Sequence, residues 1–288
     1  MVSPDSAPGV PLSHLEPGLK AVRAGSFGEV APHYQKYRPG PPSSAVDWLL
    51  PSPVARVVDL GAGTGALTRL LVDRADDVVA VEPDDRMRAV LAEELPGVNA
   101  VMGRGEAIPL PDSCADAVLA SSSWHWMDLL PTLHEVGRVL APGGTLGVLW
   151  SGPDPEGPFL AEAQALLADR AAGGGGATST DGDADTPVDD VAGLLDDARR
   201  PTSTLEIPPG TGFEPPDHAT FDWDVPLSAD DLIGLLGTMS WIITMPDQKR
   251  DRVVAEARRL LADLLGIEGE TTVDVTFRSD AWRSRWTG

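Results

Sequence analysis

The chain has 288 residues, of which 42% are hydrophobic, with 44 acidic residues against 22 Lys and Arg and a formal net charge of −22. This charge repels phosphate backbones, and no run of about 18 apolar residues occurs, so neither nucleic acid nor a membrane is expected as a partner. The single cysteine, Cys114, excludes an intramolecular disulfide and a multi-cysteine zinc site, which favours a cytoplasmic protein without a metal.

The N-terminal part of the chain is poor in regular patterns. Residues 1–25 are rich in Pro, Gly and Ser, which predicts a mobile leader. Residues 26–288 are interpreted as a single domain that begins with a short amphipathic helix near 45–50. A stretch rich in Gly and Asp at about 172–203 interrupts this domain. Its composition predicts a disordered insertion, with a lid that orders over substrate as the alternative.

From residue 54 onward, short apolar runs alternate with helical patterns. Strands are predicted at 57–60, 78–82, 98–102, 115–120 and 145–151, and helices at 64–75, 84–95 and 131–141. Strict alternation of strand and helix is typical of an α/β fold with a doubly wound, mostly parallel, Rossmann-like sheet. Ligands bind such sheets at the carboxyl ends of the strands.

The C-terminal part carries further predicted elements. Helices are predicted at 157–171, 228–241 and 246–265, and strands at about 221–225 and 271–277. Ser228, with Asp230 and Asp231 in the first turn, predicts a helix N-cap. An antiparallel final strand closing the sheet is the expected arrangement.

A glycine-rich turn after the first predicted strand is the strongest pointer to function. Asp59 ends the apolar run, and Gly61, Gly63 and Gly65 follow at alternate positions, where a ligand approaches backbone or φ is positive. Glu82, about 20 residues beyond the turn at the end of the next strand, is placed to accept the hydroxyls of an adenosine ribose. The turn also fits the dinucleotide fingerprint of NAD enzymes, so both cofactor types stay open on these residues alone.

Three downstream segments carry a resemblance to a known family. Segments 103–112, 124–128 and 138–146 look like the stretch after strand three, the loop after strand four and the turn before strand five of class I S-adenosylmethionine (SAM) dependent methyltransferases. The chain resembles the methyltransferase 11 type, in its UbiE/trans-aconitate methyltransferase-like branch, over about 27–165 and again over 219–280. This resemblance implies the seven-stranded class I fold, SAM as methyl donor, S-adenosylhomocysteine as product and no metal.

The resemblance also assigns cofactor-binding residues. The methionine moiety of SAM is predicted to bind Asp59, Gly61 and Gly63, and its ribose is predicted to bind Glu82. The faces of the adenine are predicted to contact Pro83 and Met87, and its edge is predicted to contact Gly105, Glu106 and Ala107. Ala62 and Ser121 are further predicted cofactor-binding residues. Core packing of Met87 and a solvated, surface position of Glu106 are the alternatives for those two side chains.

An aromatic element precedes the core. Tyr34, Arg38 and Pro39 match a Tyr-x-x-x-Arg-Pro element that, in the resembling branch, folds over the cofactor pocket. The resemblance implies that Tyr34, a candidate catalytic residue, hydrogen-bonds SAM and that Arg38 pairs with a carboxylate of SAM or substrate. Tyr37 is predicted to line the substrate pocket. A helix surface with two half-buried rings is the alternative.

The loop after the fourth strand is the predicted acceptor side. Trp124 and Trp126 are predicted to line the substrate pocket, and His125 is a possible catalytic base or acceptor-positioning residue. A structural histidine bonded to backbone is the alternative. Methyl transfer by in-line displacement depends mostly on positioning, so it leaves no obvious catalytic triad in a sequence.

The sequence therefore predicts a SAM-dependent methyltransferase that acts on the oxygen, nitrogen or carbon of a small organic molecule, as a monomer or a homodimer. A secondary metabolite and a carboxylic acid are the candidate acceptors. An NAD(P)-dependent oxidoreductase is one alternative, although the sequence has no Tyr-x-x-x-Lys hydride-site pair. A methyltransferase-fold protein that binds SAM without transferring methyl is the other alternative.

Overall fold

The structure is a computed structural model that describes residues 36–50, 53–154, 156–163, 165, 204–238, 240–243, 245–267 and 271–288. The predicted leader, Tyr34 and the Gly/Asp-rich stretch lie outside the described residues. The chain divides into two compact units. Among described residues, the larger unit comprises 36–151, 204–221 and 278–288, and the smaller unit comprises 152–165 and 222–277.

The strands form one seven-stranded sheet. They are β1 (Arg56–Leu60), β2 (Asp77–Val81), β3 (Asn99–Val101), β4 (Ala115–Ser121), β5 (Leu140–Pro153), β6 (Asp217–Ser228) and β7 (Thr272–Arg285). Their order is β3-β2-β1-β4-β5-β7-β6, and the pairs among β1 to β5 are parallel. Strand β7 is antiparallel to β5, since the N–H after its end at Trp286 donates to the carbonyl of Gly144 near the start of β5. The predicted fold class, with an antiparallel final strand, is confirmed.

The helices of the described residues follow the strands in the predicted order. They are α1 (Ser43–Leu49), α2 (Thr68–Leu71), α3 (Asp85–Glu94), α4 (Leu129–Val139), α5 (Ala229–Leu236), α6 (Ser240–Ile243) and α7 (Asp247–Leu265), with a 3-10 turn at Trp124–Trp126. No helix in the part of the chain that the structure describes is long and apolar enough to cross a bilayer.

Several predicted helix boundaries were wrong; for example, the helix predicted at 228–241 ends at Leu236, and a separate short helix follows at Ser240–Ile243. The helix predicted at 64–75 is regular only over α2, because the chain runs through turns from Gly63 to Leu67 and Gly65 has a φ of +91°. Helix α4 begins two residues earlier than predicted, which places Pro131 third in the helix. Proline is tolerated there, since the first four N–H groups of a helix have no partner within it.

The sheet of the larger unit has an apolar cluster on each face. On one face, Leu133 and Val136 of α4 pack with Val58 of β1. On the other face, Leu49 of α1 packs with Val57. Successive residues of β1 therefore point into opposite clusters, as expected for a strand that is buried on both sides.

The smaller unit has its own apolar cluster and a well-formed cap. Leu227, Leu235 and Phe277 are buried together. Ser228 caps α5, because its hydroxyl accepts the N–H of Asp231 at 3.2 Å and the Asp231 carboxylate accepts the N–H of Ser228 at 3.0 Å. This reciprocal capping box confirms the predicted N-cap.

Candidate cofactor and acceptor site

The turn between β1 and α2 presents bare backbone at the carboxyl edge of the sheet. Gly61, Gly63 and Gly65 have φ values of +72°, +57° and +91°, in the left-handed region that L side chains rarely adopt. A Cβ added to Gly61 would also lie 2.6 Å from the Cβ of Ser123. Glycine at these positions is therefore required by the backbone conformation and, at Gly61, by crowding.

Glu82 ties this turn to the end of β2. Its side chain is buried, with Oε2 accepting the N–H of Gly63 at 2.8 Å and Oε1 accepting the N–H of Asp84 at 2.9 Å. Burial raises the pKa of Glu82, and the two backbone hydrogen bonds oppose that rise. Each carboxylate oxygen has two lone-pair sites, so Glu82 retains the capacity to accept ligand hydroxyls.

Asp59 lies completely buried beneath the same turn. Its Oδ2 accepts the Thr68 hydroxyl at 2.5 Å, whereas Oδ1 has no hydrogen-bond partner among the described residues. Burial raises the pKa of Asp59 to about 7; the Thr68 hydrogen bond opposes this shift and the charge of Glu82 adds to it. Buried polar atoms are rarely left unpaired, so Oδ1 marks a position that suits a ligand donor.

Of the two residues predicted to flank the adenine, Met87 lies against this turn. Met87 is buried, and a Cβ on Gly63 would lie 3.5 Å from its sulfur, so Met87 packs against the turn. Pro83 is exposed, just before the N-cap of α3. Ala62 is buried within the turn, and Ser121 ends β4, half-buried.

The segment after β3 contacts the start of α4. A Cβ on Gly105 would lie 2.6 Å from the sulfur of Met127 and 2.8 Å from the hydroxyl of Thr132, so this glycine allows close packing. Glu106 is half-buried, and its Oε1 accepts the N–H of Asp128 at 2.7 Å. A surface position of Glu106 is compatible with this hydrogen bond, and its role at the adenine edge stays a prediction. Ala107 is exposed.

Arg138 of α4 holds this segment, and the sequence did not single it out. Its guanidinium donates to the carbonyls of Ile108 and Leu110 at 2.9 and 2.8 Å and to the carboxylates of Asp112 and Glu135. These carboxylates raise the pKa of Arg138. The Glu135 carboxylate also accepts the N–H of Ile108 at 2.9 Å, so two side chains of α4 hold the segment that follows the predicted adenine edge.

The aromatic residues of the loop after β4 differ in burial. Trp124 is buried in the core cluster beside α4, so it does not line an open pocket as predicted. His125 and Trp126 are half-buried, with ring centroids 4.9 Å apart. The Nδ1 atom of His125 accepts the indole N–H of Trp150, in β5, at 3.0 Å. This partner is a side chain on the neighbouring strand.

Arg38 lies beside the glycine turn. A groove of about 270 Å³ is lined by Arg38, Gly40, Pro41, Thr64, Ala66, Arg69 and Leu70. This places the predicted Arg38 near the turn together with Arg69, which sequence reasoning missed because it falls within an ordinary helical pattern. Tyr37 contacts Lys36, whose ammonium is 2.9 Å from its hydroxyl, and Tyr37 does not line this groove.

Ser123 is a further residue that the sequence did not indicate. Its hydroxyl donates to the carbonyl of Leu60 at 2.8 Å and so joins the loop after β4 to the end of β1. In the described ranges, no group of three or more His, Cys, Asp or Glu side chains is arranged to hold a metal ion.

The chain is similar in sequence to known methyltransferases. A family model described as a methyltransferase domain matches residues 58–148, from β1 into β5. An uncharacterized methyltransferase of Mycobacterium tuberculosis is 38% identical over 237 residues, which cover 82% of this chain and 86% of that protein. The malonyl-[acyl-carrier protein] O-methyltransferase of Enterobacter lignolyticus is 32% identical over 136 residues, which cover 46% and 54% respectively.

Among solved structures, a protein described as a type II methyltransferase from Anaeromyxobacter dehalogenans is similar in fold. It superposes with a TM-score of 0.56 at 22% identity and covers 86% of this chain and 98% of its own. At that identity the likeness concerns the fold alone. It agrees with the seven-stranded class I sheet described above.

Proposed function

Because this chain belongs to the methyltransferase family, we propose that it transfers a methyl group from SAM to a small organic acceptor and releases S-adenosylhomocysteine. Family membership also decides against the NAD(P)-dependent oxidoreductase alternative. The observation that carries the choice of cofactor is the orphaned Oδ1 of the buried Asp59 beside the glycine turn, while Glu82 provides a carboxylate for the ribose. When bound, SAM supplies an electrophilic methyl group on a positively charged sulfur.

The proposed cofactor residues fit the chemistry of SAM. The orphaned Oδ1 of Asp59 suits the ammonium of the methionine moiety, and the Glu82 carboxylate suits two ribose hydroxyls. The glycine turn lets the ligand approach the backbone without meeting a Cβ. The other residues proposed to contact the cofactor are Arg38, Gly61, Ala62, Gly63, Pro83, Met87, Gly105, Glu106, Ala107 and Ser121.

The acceptor is proposed to bind next to the loop after β4. His125 and Trp126 follow directly after the strand that neighbours both β1 and β5, at the carboxyl edge where ligands of such sheets bind. A small acceptor also agrees with the net charge of −22, which opposes nucleic-acid substrates. A cytoplasmic enzyme, monomeric or homodimeric, is part of the same proposal.

The test is methyl transfer by the purified protein. The chain would be incubated with SAM carrying a labelled methyl group and with separate pools of small carboxylic acids, phenols and amines. Acceptor-dependent release of S-adenosylhomocysteine is expected, and it should be slower in Glu82→Gln when SAM is limiting. Tight binding of SAM without release of S-adenosylhomocysteine from any pool would instead favour a protein that binds SAM without transferring methyl.

A further inference from the structure

We propose that the buried carboxyl of Asp59 carries a proton before SAM binds and releases it when SAM binds, so that the ammonium of SAM takes the place of this proton. This inference rests on the proposed function. It makes the binding step of the same site depend on pH.

The first step is the confinement of Asp59. Its side chain is completely buried, and its register neighbours on β2 and β4 are the apolar Ala80 and Leu119. The Thr68 hydroxyl of α2 lies 2.5 Å from Oδ2, whereas Oδ1 has no hydrogen-bond partner among the described residues. Removing a carboxylate from water is so unfavourable that the group takes up a proton unless a cation or several donors compensate. A single hydroxyl compensates only in part.

The second step is the charge around Asp59. Glu82 holds the same glycine turn through the N–H of Gly63, and its carboxylate is the charged group that acts on Asp59. Arg88 and Asp84 act on Glu82 instead, and the Arg88 guanidinium donates to the Glu82 backbone carbonyl at 2.9 Å. Within the ranges that the structure describes, Asp59 forms no ion pair with a lysine or arginine. Two buried carboxylates thus share one turn, which favours a neutral Asp59.

The third step is the balance of protons and charge. Burial and the Glu82 charge raise the pKa of Asp59 to about 7, so most molecules carry the proton at pH 6 before SAM binds. An ammonium beside Oδ1 supplies one positive charge and hydrogen-bond donors, both of which favour the ionised carboxylate. Asp59 then loses its proton to solvent. The charge beside Glu82 is unchanged overall, because one positive charge leaves and another arrives.

Calorimetry at pH 6 counts the released protons when the titration with SAM is repeated in two buffers that differ in their enthalpy of protonation. The ammonium of SAM stays charged there, since α-amino groups have a pKa of about 7.7–8.0. A release of about 0.9 proton per bound SAM is expected, the protonated fraction of a group with a pKa of about 7. S-adenosylhomocysteine, which keeps the ammonium, should release as much, and 5′-methylthioadenosine, which has the adenosine without the ammonium, should release little. SAM binding without proton release, or equal release with 5′-methylthioadenosine, would overturn the inference alone. No binding of SAM would overturn the proposed function.

Asp59→Asn assigns the proton to its group, because asparagine keeps an acceptor oxygen for Thr68 and cannot ionise. From pH 5 to pH 6 the affinity of the unaltered protein for SAM should rise by up to about 10-fold, and Asp59→Asn should lose most of this rise. Asp73→Asn, at an exposed position just after α2, is the matched control and should keep it.

Infrared spectra test the starting state without relying on SAM. The unaltered protein at pH 6 should show the absorption of a neutral carboxyl that Asp59→Asn lacks, and this absorption should disappear when SAM is added. Absence of the neutral carboxyl from the unaltered protein, or undiminished proton release in Asp59→Asn, would overturn the inference.

Discussion

The carboxylate of Glu82 accepts the backbone N–H of Gly63 at 2.8 Å, which joins the end of β2 to the glycine turn after β1. The carboxylate that we propose for ribose binding and the glycine turn are therefore joined directly. Since the other oxygen of Glu82 accepts the N–H of Asp84, the same side chain also fixes the start of α3. A substitution at Glu82 should consequently affect both cofactor affinity and the conformation of the turn.

Glu82→Gln is expected to weaken SAM binding by about 10- to 100-fold. Hydrogen bonds to a charged group contribute about 1.5–3 kcal/mol, and the amide of glutamine retains only one acceptor oxygen. Isothermal titration calorimetry measures this loss directly. Glu93→Gln, at an exposed position on α3, is the control and should bind SAM normally. An unaltered affinity in Glu82→Gln would refute the ribose assignment.

Asp59→Asn should make the folded protein more stable at pH 8 and less sensitive to pH. The pKa of Asp59 is raised from 3.8 to about 7 on folding, so its stabilising contribution is complete below about pH 4 and is lost as the pH rises through about 7. The shift corresponds to at most about 4 kcal/mol. Urea unfolding of both proteins at pH 5 and pH 8 measures it. A parent protein that gains stability relative to Asp59→Asn over this interval would contradict the assignment.

The sequence predicted the parallel half of the fold well, because strands buried on both faces form continuous apolar runs such as Val57 and Val58. It also predicted that Glu82 lies at the end of the second strand beside the glycine turn, since a single helix sets the spacing between that turn and the end of the next strand. The bonds of Trp150 to His125 and of Arg138 to the Ile108 carbonyl join positions 25 and 30 apart. Such contacts depend on which strands become neighbours, and no local pattern encodes that.

Local conformation explains the other differences. Trp124 and His125 are adjacent in the chain, yet the 3-10 turn sends Trp124 into the core and leaves His125 at the edge of the sheet. Sequence spacing alone predicted both as site residues. Tyr34 stays a prediction, because it lies outside the described residues.

Gly61→Ala should destabilise the protein by roughly 1–2 kcal/mol or more. The left-handed conformation at φ +72° is less favourable for alanine than for glycine by about that free energy, and the alanine Cβ would collide with Ser123. Gly97→Ala is the matched control, since a Cβ there meets open space. Chemical denaturation of both variants gives the comparison. Equal stabilities would show that the turn relaxes without cost.

Arg138→Lys should lower stability by about 1.5–3 kcal/mol and loosen the loop that contains Gly105. One ammonium cannot replace a guanidinium that serves two carbonyls and two carboxylates at once. Hydrogen exchange at Leu110, with thermal unfolding, measures the effect. Arg104→Lys, at a side chain that is 72% exposed, should change neither. Unaltered exchange in Arg138→Lys would show that the loop is held by other contacts.

The most direct test of the account is a calorimetric titration of the unaltered protein with SAM, S-adenosylhomocysteine and NAD under the same conditions. Binding of both adenosyl ligands, weakened in Glu82→Gln and Asp59→Asn, and no heat with NAD is the predicted result. Binding of NAD with no response to either adenosyl ligand would contradict the assignment of the glycine turn and its two carboxylates to SAM.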